Sequence, residues 1–472
     1  LNSQNQNKMA VMPVPKLLLN MGAPMILSMV LQAVYNIADS AFVSNMKGTG
    51  AEASNALTLV FPAQMLMVAF GIGTGVGMNA LVSKCLGQKN SEKAGKTAGN
   101  AFFLAGMMYL LFVLFGIFGV KSYVMSQASA ETSALTLEMS VSYLRICCIC
   151  SFGIVLFSIA EKLLQSAGNS LYSTIAQIAG AVVNMILDPI MIYGWLGCPE
   201  LGVKGAGIAT VIGQVVSAGL GIFFHFRINK QIPNSVAYLK PDLQIIKEIY
   251  QIGLPAIIAQ ALMSLMTYGL NIILVKISVP MQTAYGMYYK IQQFVLFMAF
   301  GLRDAITPVI AFSHGAGNKN RIRDGVKFGL IYTGILMLAG TLTTELSAGA
   351  FANLFSMNGE TASLFISAMH VISLSFLFAG MNITFQGIYQ ALDGGLESLV
   401  ISLLRQLVII FPFILLFAHI AKQNPGRTWL VWTAFLIAEL GTTVAGAVLL
   451  KRIYQKKVSN LDNHILPEPV QA

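Results

Sequence analysis

The sequence predicts an all-α integral membrane fold: twelve transmembrane helices in two pseudo-symmetric six-helix lobes. Three observations lead there. Of 472 residues, 56% are hydrophobic and only 10% are charged, against roughly 25% charged in a soluble domain. The apolar residues form long blocks, such as 21–43 and 403–421, each near the roughly 20 residues that carry a helix across a bilayer. Short motifs also recur in the same order about 230 residues apart.

Taken in order, apolar blocks and polar breaks place helices at 19–44, 56–83, 97–120, 136–162, 171–194 and 203–228. A second set runs 249–277, 283–312, 325–347, 361–391, 396–420 and 427–453. The domain reading is a first lobe over 1–228, a polar linker over 229–247 with Pro233 and Pro241, a second lobe over 248–454 and a tail over 455–472. Gly22-Ala-Pro24 opens the first helix and Gly253-Leu-Pro255 the seventh. Gly87-Gln-Lys-Asn90 then matches Gly317-Asn-Lys-Asn320. With six helices per half, both copies insert in one orientation, the parallel-repeat plan of secondary transporters.

The formal charge of +10 would suit nucleic acid, but its distribution points to a membrane. Lys84, Lys89, Lys93 and Lys96 sit between the second and third helices, and Lys319, Arg321, Arg323 and Lys327 between the eighth and ninth. Arg227, Lys230, Lys240 and Lys247 surround the linker, and Lys451, Arg452, Lys456 and Lys457 follow the last helix. The first two loops on the other side carry only Lys47 and Lys121. This alternation places both termini of a multi-pass membrane protein in the cytoplasm. Residues 2–8 are polar, with no short apolar segment ending in a cleavage signature, so the first span is expected to serve as the anchor. Cys147, Cys148 and Cys150 lie in an apolar helix with no nearby histidine, and packing explains them better than metal ligation.

Ionisable groups at membrane depth cost roughly 2.5–3.5 kcal/mol each on insertion scales and call for a reason. Asp39 lies deep in the first helix and Asp188 in the fifth. Ser28, Gln32, Tyr35, Asn36 and Asp39 are linked by three- and four-residue spacings and form one stripe; Gln177, Asn184 and Asp188 form another, and Thr210, Gln214 and Ser217 a third. Three such stripes imply a hydrated interior, because facing lipid would be too costly. For Gln177 and Ser217, buried hydrogen bonds between helices are an equally good account. Two nearby carboxylates in low dielectric resist ionising together, so the pair can hold a proton, or Na⁺ with help from the neutral oxygens of Asn184 and Thr210. In the second half, Gln260, Ser264, Thr267, Tyr268 and Asn271 make an uncharged stripe, with Tyr285, Tyr288, Tyr289, Lys290 and Gln292 in the eighth helix and Asn382, Gln386 and Gln390 in the tenth. Arg303, Asp304 and Arg405 are its charges, and local pairing or snorkelling accounts for the first two. Cation coupling is therefore expected in the first lobe alone.

These residues resemble the multidrug and toxic compound extrusion (MATE) transporters, in particular the bacterial DinF-like and MepA-like branch. The resemblance rests on Gly22-Ala-Pro24 followed by Gln32-Ala-Val-Tyr35-Asn36-Ile-Ala-Asp39, on Gly71-Ile-Gly-Thr-Gly75-Val-Gly77, on Asn184-Met-Ile-Leu-Asp188-Pro189 and on Leu201-Gly-Val-Lys-Gly205-Ala-Gly-Ile-Ala-Thr210. It implies a V-shaped cavity and export of small, often cationic or aromatic compounds in exchange for H⁺ or Na⁺. It also implies a cation-coupling set of Asp39, Asn184, Asp188 and Thr210, which would be metal ligands if Na⁺ is the ion. Gln32, Tyr35 and Asn36 match the adjacent substrate region, and Gln177 on the facing stripe joins them as a candidate. Some members instead carry acids in the second lobe, but here the seventh helix has none at mid-membrane, and Asp393 lies near the end of the tenth. Pro24 matches a proline associated in some members with bending of the first helix.

Other functions fit poorly. Residues 90–97 approach a phosphate-binding loop but lack its first glycine and join two membrane helices. His225, His314, His370, His419 and His464 are scattered, so neither an enzyme nor a cofactor other than the coupling ion is expected. A flippase-like exporter of lipid-linked or other metabolites in the same superfamily is the alternative, with Lys290 as the central cation for phosphates. The expected partners are a small-molecule substrate and membrane lipid, with no nucleic acid. A cavity within one chain needs no second copy, so a monomer is expected.

Overall fold

In hydrocarbon no water satisfies backbone N–H and C=O groups, so the chain must bond them internally. The computed structural model describes residues 7–128, 132–355, 357–459 and 461, and its regular structure there is helical throughout. Ten helices are long and apolar enough to cross a membrane, and two bent pairs bring the described spans to twelve. In chain order they are α1 (Val14–Ser44), α2 (Gly50–Gly87), α3 (Ser91–Gln127), α4 (Ala134–Ile149 and Phe152–Ser166), α5 (Ser170–Tyr193) and α6 (Val203–Ile228). The second set is α7 (Leu243–Val275), α8 (Val279–Gly315), α9 (Lys319–Leu354), α10 (Gly359–Ser373 and Phe376–Ala391), α11 (Gly395–Gln423) and α12 (Trp429–Lys457). Every predicted helix has its counterpart. The start of the predicted tail is the end of α12; residues 2–6, 460 and 462–472, with His464, lie outside the described residues.

α4 and α10, predicted as continuous, are bent by 49° and 51°. In α10 the break falls beside a hydroxyl that bonds back to the preceding turn: Ser375 Oγ donates to the Ile372 carbonyl at 2.6 Å. Such bonds compete with the helical ladder and bend it. The break in α4 falls at Cys150 and Ser151, just before the close approach of Gly153 to the α6 backbone at Gln214 and Val215.

The repeat also appears in the turns. Asn90 N–H bonds the Cys85 carbonyl at 2.9 Å, and Asn318 N–H bonds that of Ser313 at 3.0 Å. The residues before them, Lys89 and Gly317, have φ of 58° and 68°, the left-handed stop of a helix. Each asparagine side chain then caps the next helix, accepting from Lys93 N–H at 2.9 Å and Arg321 N–H at 3.0 Å. The structural partners are therefore Asn90 and Asn318, two residues off the register suggested by the glycine motifs.

The chain divides into two compact units, Val30–Ile257 and Leu1–Met29 with Ile258–Ala472. This partition differs from one at the linker: the first half of α1 belongs with the later helices, and the first half of α7 with the earlier ones. Close backbone contact fixes each placement. A Cβ on Gly301 of α8 would lie 2.8 Å from the Ile26 backbone of α1, and one on Gly77 of α2 would lie 2.1 Å from the Ile249 carbonyl of α7. Small residues at such crossings let helices approach where no hydrophobic effect drives them together.

Tyr285 and Tyr288 of α8, read from sequence as part of a polar face, are fully buried. Tyr285 stacks against Trp432 with ring centroids 6.4 Å apart and against Phe435 at 5.7 Å, which makes it core.

Candidate functional site

The first unit, Val30–Ile257, gathers the sequence-predicted residues. α5 and α6 cross closely enough that a Cβ on Gly213 would lie 2.6 Å from the Gly180 carbonyl, and this brings Asn184 to Thr210. The Asn184 amide joins α5 to α6: with its oxygen accepting from Thr210 N–H at 3.0 Å, its nitrogen donates to Asp188 Oδ2 at 3.2 Å. Asp188 is fully buried, Asn184 is 2% exposed and Thr210 is 7% exposed. From α1, Asp39 comes within hydrogen-bonding reach of Asp188. Asp39 Oδ1 is buried without a hydrogen-bond partner, and neither carboxylate has a cationic side chain as partner among the described residues.

Tyr35, one turn before Asp39, adjoins Thr210 and feels both carboxylates. Gln32 and Gln177 meet directly, Gln177 Nε2 donating to Gln32 Oε1 at 2.9 Å, so these two candidates tie α1 to α5. Tyr193 of α5 makes a second tie through its hydroxyl to the Phe42 carbonyl at 2.6 Å. Asn36 is exposed and lies on the same stripe. Gln64 and Tyr143 were missed in the sequence, and Cys147 was read there as packing alone. Gln64 of α2 donates to Tyr143 Oη at 3.2 Å and to Cys147 Sγ at 3.8 Å, and both α4 residues sense Asp39. The spacing of Ser140, Tyr143 and Cys147 at three- and four-residue steps was the available signal.

The chemistry of the cluster suits a cation. Two carboxylates, an amide oxygen and a hydroxyl are hard oxygen donors of the kind that hold an alkali cation, and the carboxylates alone can share a proton. Among the described residues no group of three or more His, Cys, Asp or Glu is spaced to hold a metal ion.

The second unit departs from the uncharged face expected of it. Glu439 of α12, overlooked in the sequence, is 7% exposed, and Arg405 of α11 is 8% exposed. Arg405 Nε donates to Glu439 Oε1 at 2.5 Å, and Asn382 Nδ2 of α10 donates to Glu439 Oε2 at 2.8 Å. One acid in the middle of an apolar helix was the legible signal. Arg303 and Asp304 pair locally at 2.7 Å, as expected.

Twelve described spans in a repeated architecture make this a multi-pass membrane protein. The MatE family matches residues 24–190 and 255–416, and the chain belongs to that family, whose members are transporters and not enzymes. The chain is 25% identical to the multidrug export protein MepA of Staphylococcus aureus over 93% of its own length and 94% of that protein's. It shares its fold with an outward-facing multidrug resistance MATE family transporter of the MOP superfamily, at 22% identity and a TM-score of 0.88, covering 96% of this chain and 99% of that one. A MOP superfamily transporter from Pyrococcus furiosus, described as having a binding pocket of reversed polarity, matches at 22% identity and a TM-score of 0.83 over 97% and 100% of the two chains.

Proposed function

We propose that this protein is a multidrug exporter that exchanges small organic compounds for H⁺ or Na⁺ by alternating access. The observation that carries the reading is the meeting of Asp39 and Asp188 with Asn184 and Thr210 in a buried site that has no cationic side chain of its own among the described residues. Without a cation the carboxylates repel each other across low dielectric, which pushes α1 from α5. A bound proton or Na⁺ removes that repulsion and draws α1 toward α5 and α6. Gln32, Tyr35 and Asn36 share the α1 stripe with Asp39, so the same movement alters the surface offered to a substrate. Pro24 lies inside α1, where it removes one backbone hydrogen bond and supplies a soft point for that movement. The name of the Staphylococcus aureus relative supports drug compounds as cargo.

The distribution of Lys and Arg supports both termini in the cytoplasm of a bacterial inner membrane, with one chain sufficing. The test is dye efflux from proteoliposomes under a proton gradient and, separately, a sodium gradient. Saturable efflux is expected under the gradient of the coupling ion. Asp39→Asn and Asp188→Asn are each expected to cut gradient-driven efflux at least about tenfold, as loss of an essential ionisable group does. Efflux unchanged in both variants would remove the coupling assignment, and flux that never saturates would indicate a channel.

A further inference from the structure

The segment joining α6 to α7 reads in the sequence as a polar linker, yet it is held along its length inside the first unit. Two glycines of α3 admit it. A Cβ on Gly95 would lie 2.5 Å from the Pro233 carbonyl oxygen, and one on Gly99 would lie 2.3 Å from that of Tyr238. Asn100 of α3, 1% exposed, grips the far end. Its Oδ1 accepts from Asp242 N–H at 2.8 Å, and its Nδ2 lies 3.4 Å from the carbonyls of both Tyr238 and Lys240. Asp242 in turn caps α7, its Oδ1 accepting from Gln244 N–H at 2.9 Å. The segment is thus a strap that sets where α7 begins.

The near end is fastened by His225 of α6, which is fully buried. Its Nε2 lies 2.8 Å from Asn234 Oδ1 of the strap, and its Nδ1 lies 3.2 Å from Asn229 Nδ2. The neighbouring amides fix which ring nitrogen carries the proton. Asn234 Nδ2 donates to the Ile232 carbonyl at 3.3 Å, which turns Oδ1 to the ring and makes Nε2 the donor. Asn229 Nδ2 also donates to the Leu163 carbonyl at 3.1 Å, and Asn229 Oδ1 accepts from Asn169 Nδ2 at 2.6 Å. Nδ1 must therefore accept. A second ring proton would set one N–H against another. Turning the Asn229 amide over would set its oxygen against the Leu163 carbonyl and its nitrogen against Asn169. Every arrangement with a charged ring leaves buried polar groups mismatched, which is costly.

Nothing nearby offsets that cost. α3 presents the Phe102 ring with its centroid 6.4 Å away, and α4 and α5 reach the imidazole only through Asn229. The titratable groups on these elements are engaged elsewhere or exposed. Glu161 and Lys162 of α4 bond Gln165, Lys93 and Lys96 of α3 pair with Glu248 and Glu92, and Tyr172 of α5 packs on Phe224. Tyr238 of the strap lies over Gly99, and Arg227 and Lys230 are exposed. Among the described residues no carboxylate pairs with His225.

We propose that residues 229–242 form a strap latched by neutral His225, and that protonation of His225 releases the strap from α3 and from the start of α7. Histidine is the side chain whose ordinary charge change falls between about pH 5 and 8. The latch therefore answers to pH on the linker's side of the membrane, holding as pH rises and letting go as it falls. It does not depend on the exporter reading.

A nitroxide on Val236→Cys, where the side chain projects from the strap 85% exposed, reports strap mobility by electron paramagnetic resonance. Cys150→Ala and Cys198→Ser remove the two native cysteines that are not buried. The full-length protein in detergent is used throughout. The mobile fraction is expected to rise at least about fivefold, reversibly, from about pH 8 to about pH 5, the worth of one net hydrogen bond. His225→Gln keeps an N–H donor for Asn234 but takes up no proton, and should hold the fraction within about twofold of its high-pH level throughout. Asn234→Leu removes the latch from the strap side, and should give the high fraction at both ends of the range with no further rise. A mobile fraction that does not change with pH in the protein with His225 and Asn234 intact overturns the proposal. So does a pH response that survives in His225→Gln or in Asn234→Leu. Asn234→Leu decides the matter alone if His225→Gln does not fold.

Discussion

The two units carry buried charge in opposite ways. In the first, Asp39 and Asp188 face each other with no base to balance them among the described residues. In the second, Glu439 is held between Arg405 and Asn382, and both its oxygens are satisfied. The same six-helix plan therefore supports an uncompensated site and a compensated one. Only the uncompensated site gains from an added cation, because two like charges in low dielectric are relieved by a proton or an alkali ion. The compensated site holds its geometry whichever way a proton gradient points. On the proposed reading, the uncompensated site is the one that serves coupling.

Removing one acid from each unit gives the sharpest contrast. Glu439→Ala leaves Arg405 buried and unpaired, and is expected to lower stability by about 3–5 kcal/mol, read as a drop in unfolding temperature in detergent. Replacing both partners with apolar residues, Arg405→Met with Glu439→Leu, should recover most of that loss. Asp188→Asn should cost no stability, because it relieves repulsion in place of breaking a pair. A fall in unfolding temperature in Asp188→Asn as large as that of Glu439→Ala would break the comparison.

Smaller effects test where α1 and α7 belong. Gly77→Ala and Gly301→Ala each put a methyl against the backbone of the crossing helix, and each should cost about 1–3 kcal/mol. Equal losses would match the exchange of α1 and α7 between units. A loss at Gly301 with none at Gly77 would mean that α7 does not pack against α2 as closely as α1 does against α8. The smallest effect is expected at Gln177→Leu, where one interhelical hydrogen bond to Gln32 is lost for about 1 kcal/mol. A large fall in dye affinity with unchanged stability would instead place Gln177 at the substrate.

Much of the first unit could be read in advance because its signals are local. Asp39, Asn184, Asp188 and Thr210 stand out as polar groups in apolar helices, and helical spacing puts each on a stripe. The second unit was misread because Arg405 and Glu439 are 34 residues apart on different helices, and no spacing rule connects them. Tyr285 and Tyr288 were misassigned for a related reason: hydroxyls in a periodic stripe look alike whether the stripe faces a cavity or Trp432.

The sequence by itself determined the membrane class, the twelve helices, the repeat and the two acids of the first unit. Those follow from composition and from the roughly 3.6-residue period of a helix, which are properties of neighbouring residues. The tertiary structure alone decided which stripes face each other, that α1 and α7 divide between units, that the repeats align at Asn90 and Asn318, and that Arg405 finds Glu439. Each depends on the rotation and crossing of helices far apart in the chain. A shift of one residue turns a side chain by about 100° around its axis, so only packing can say what it meets.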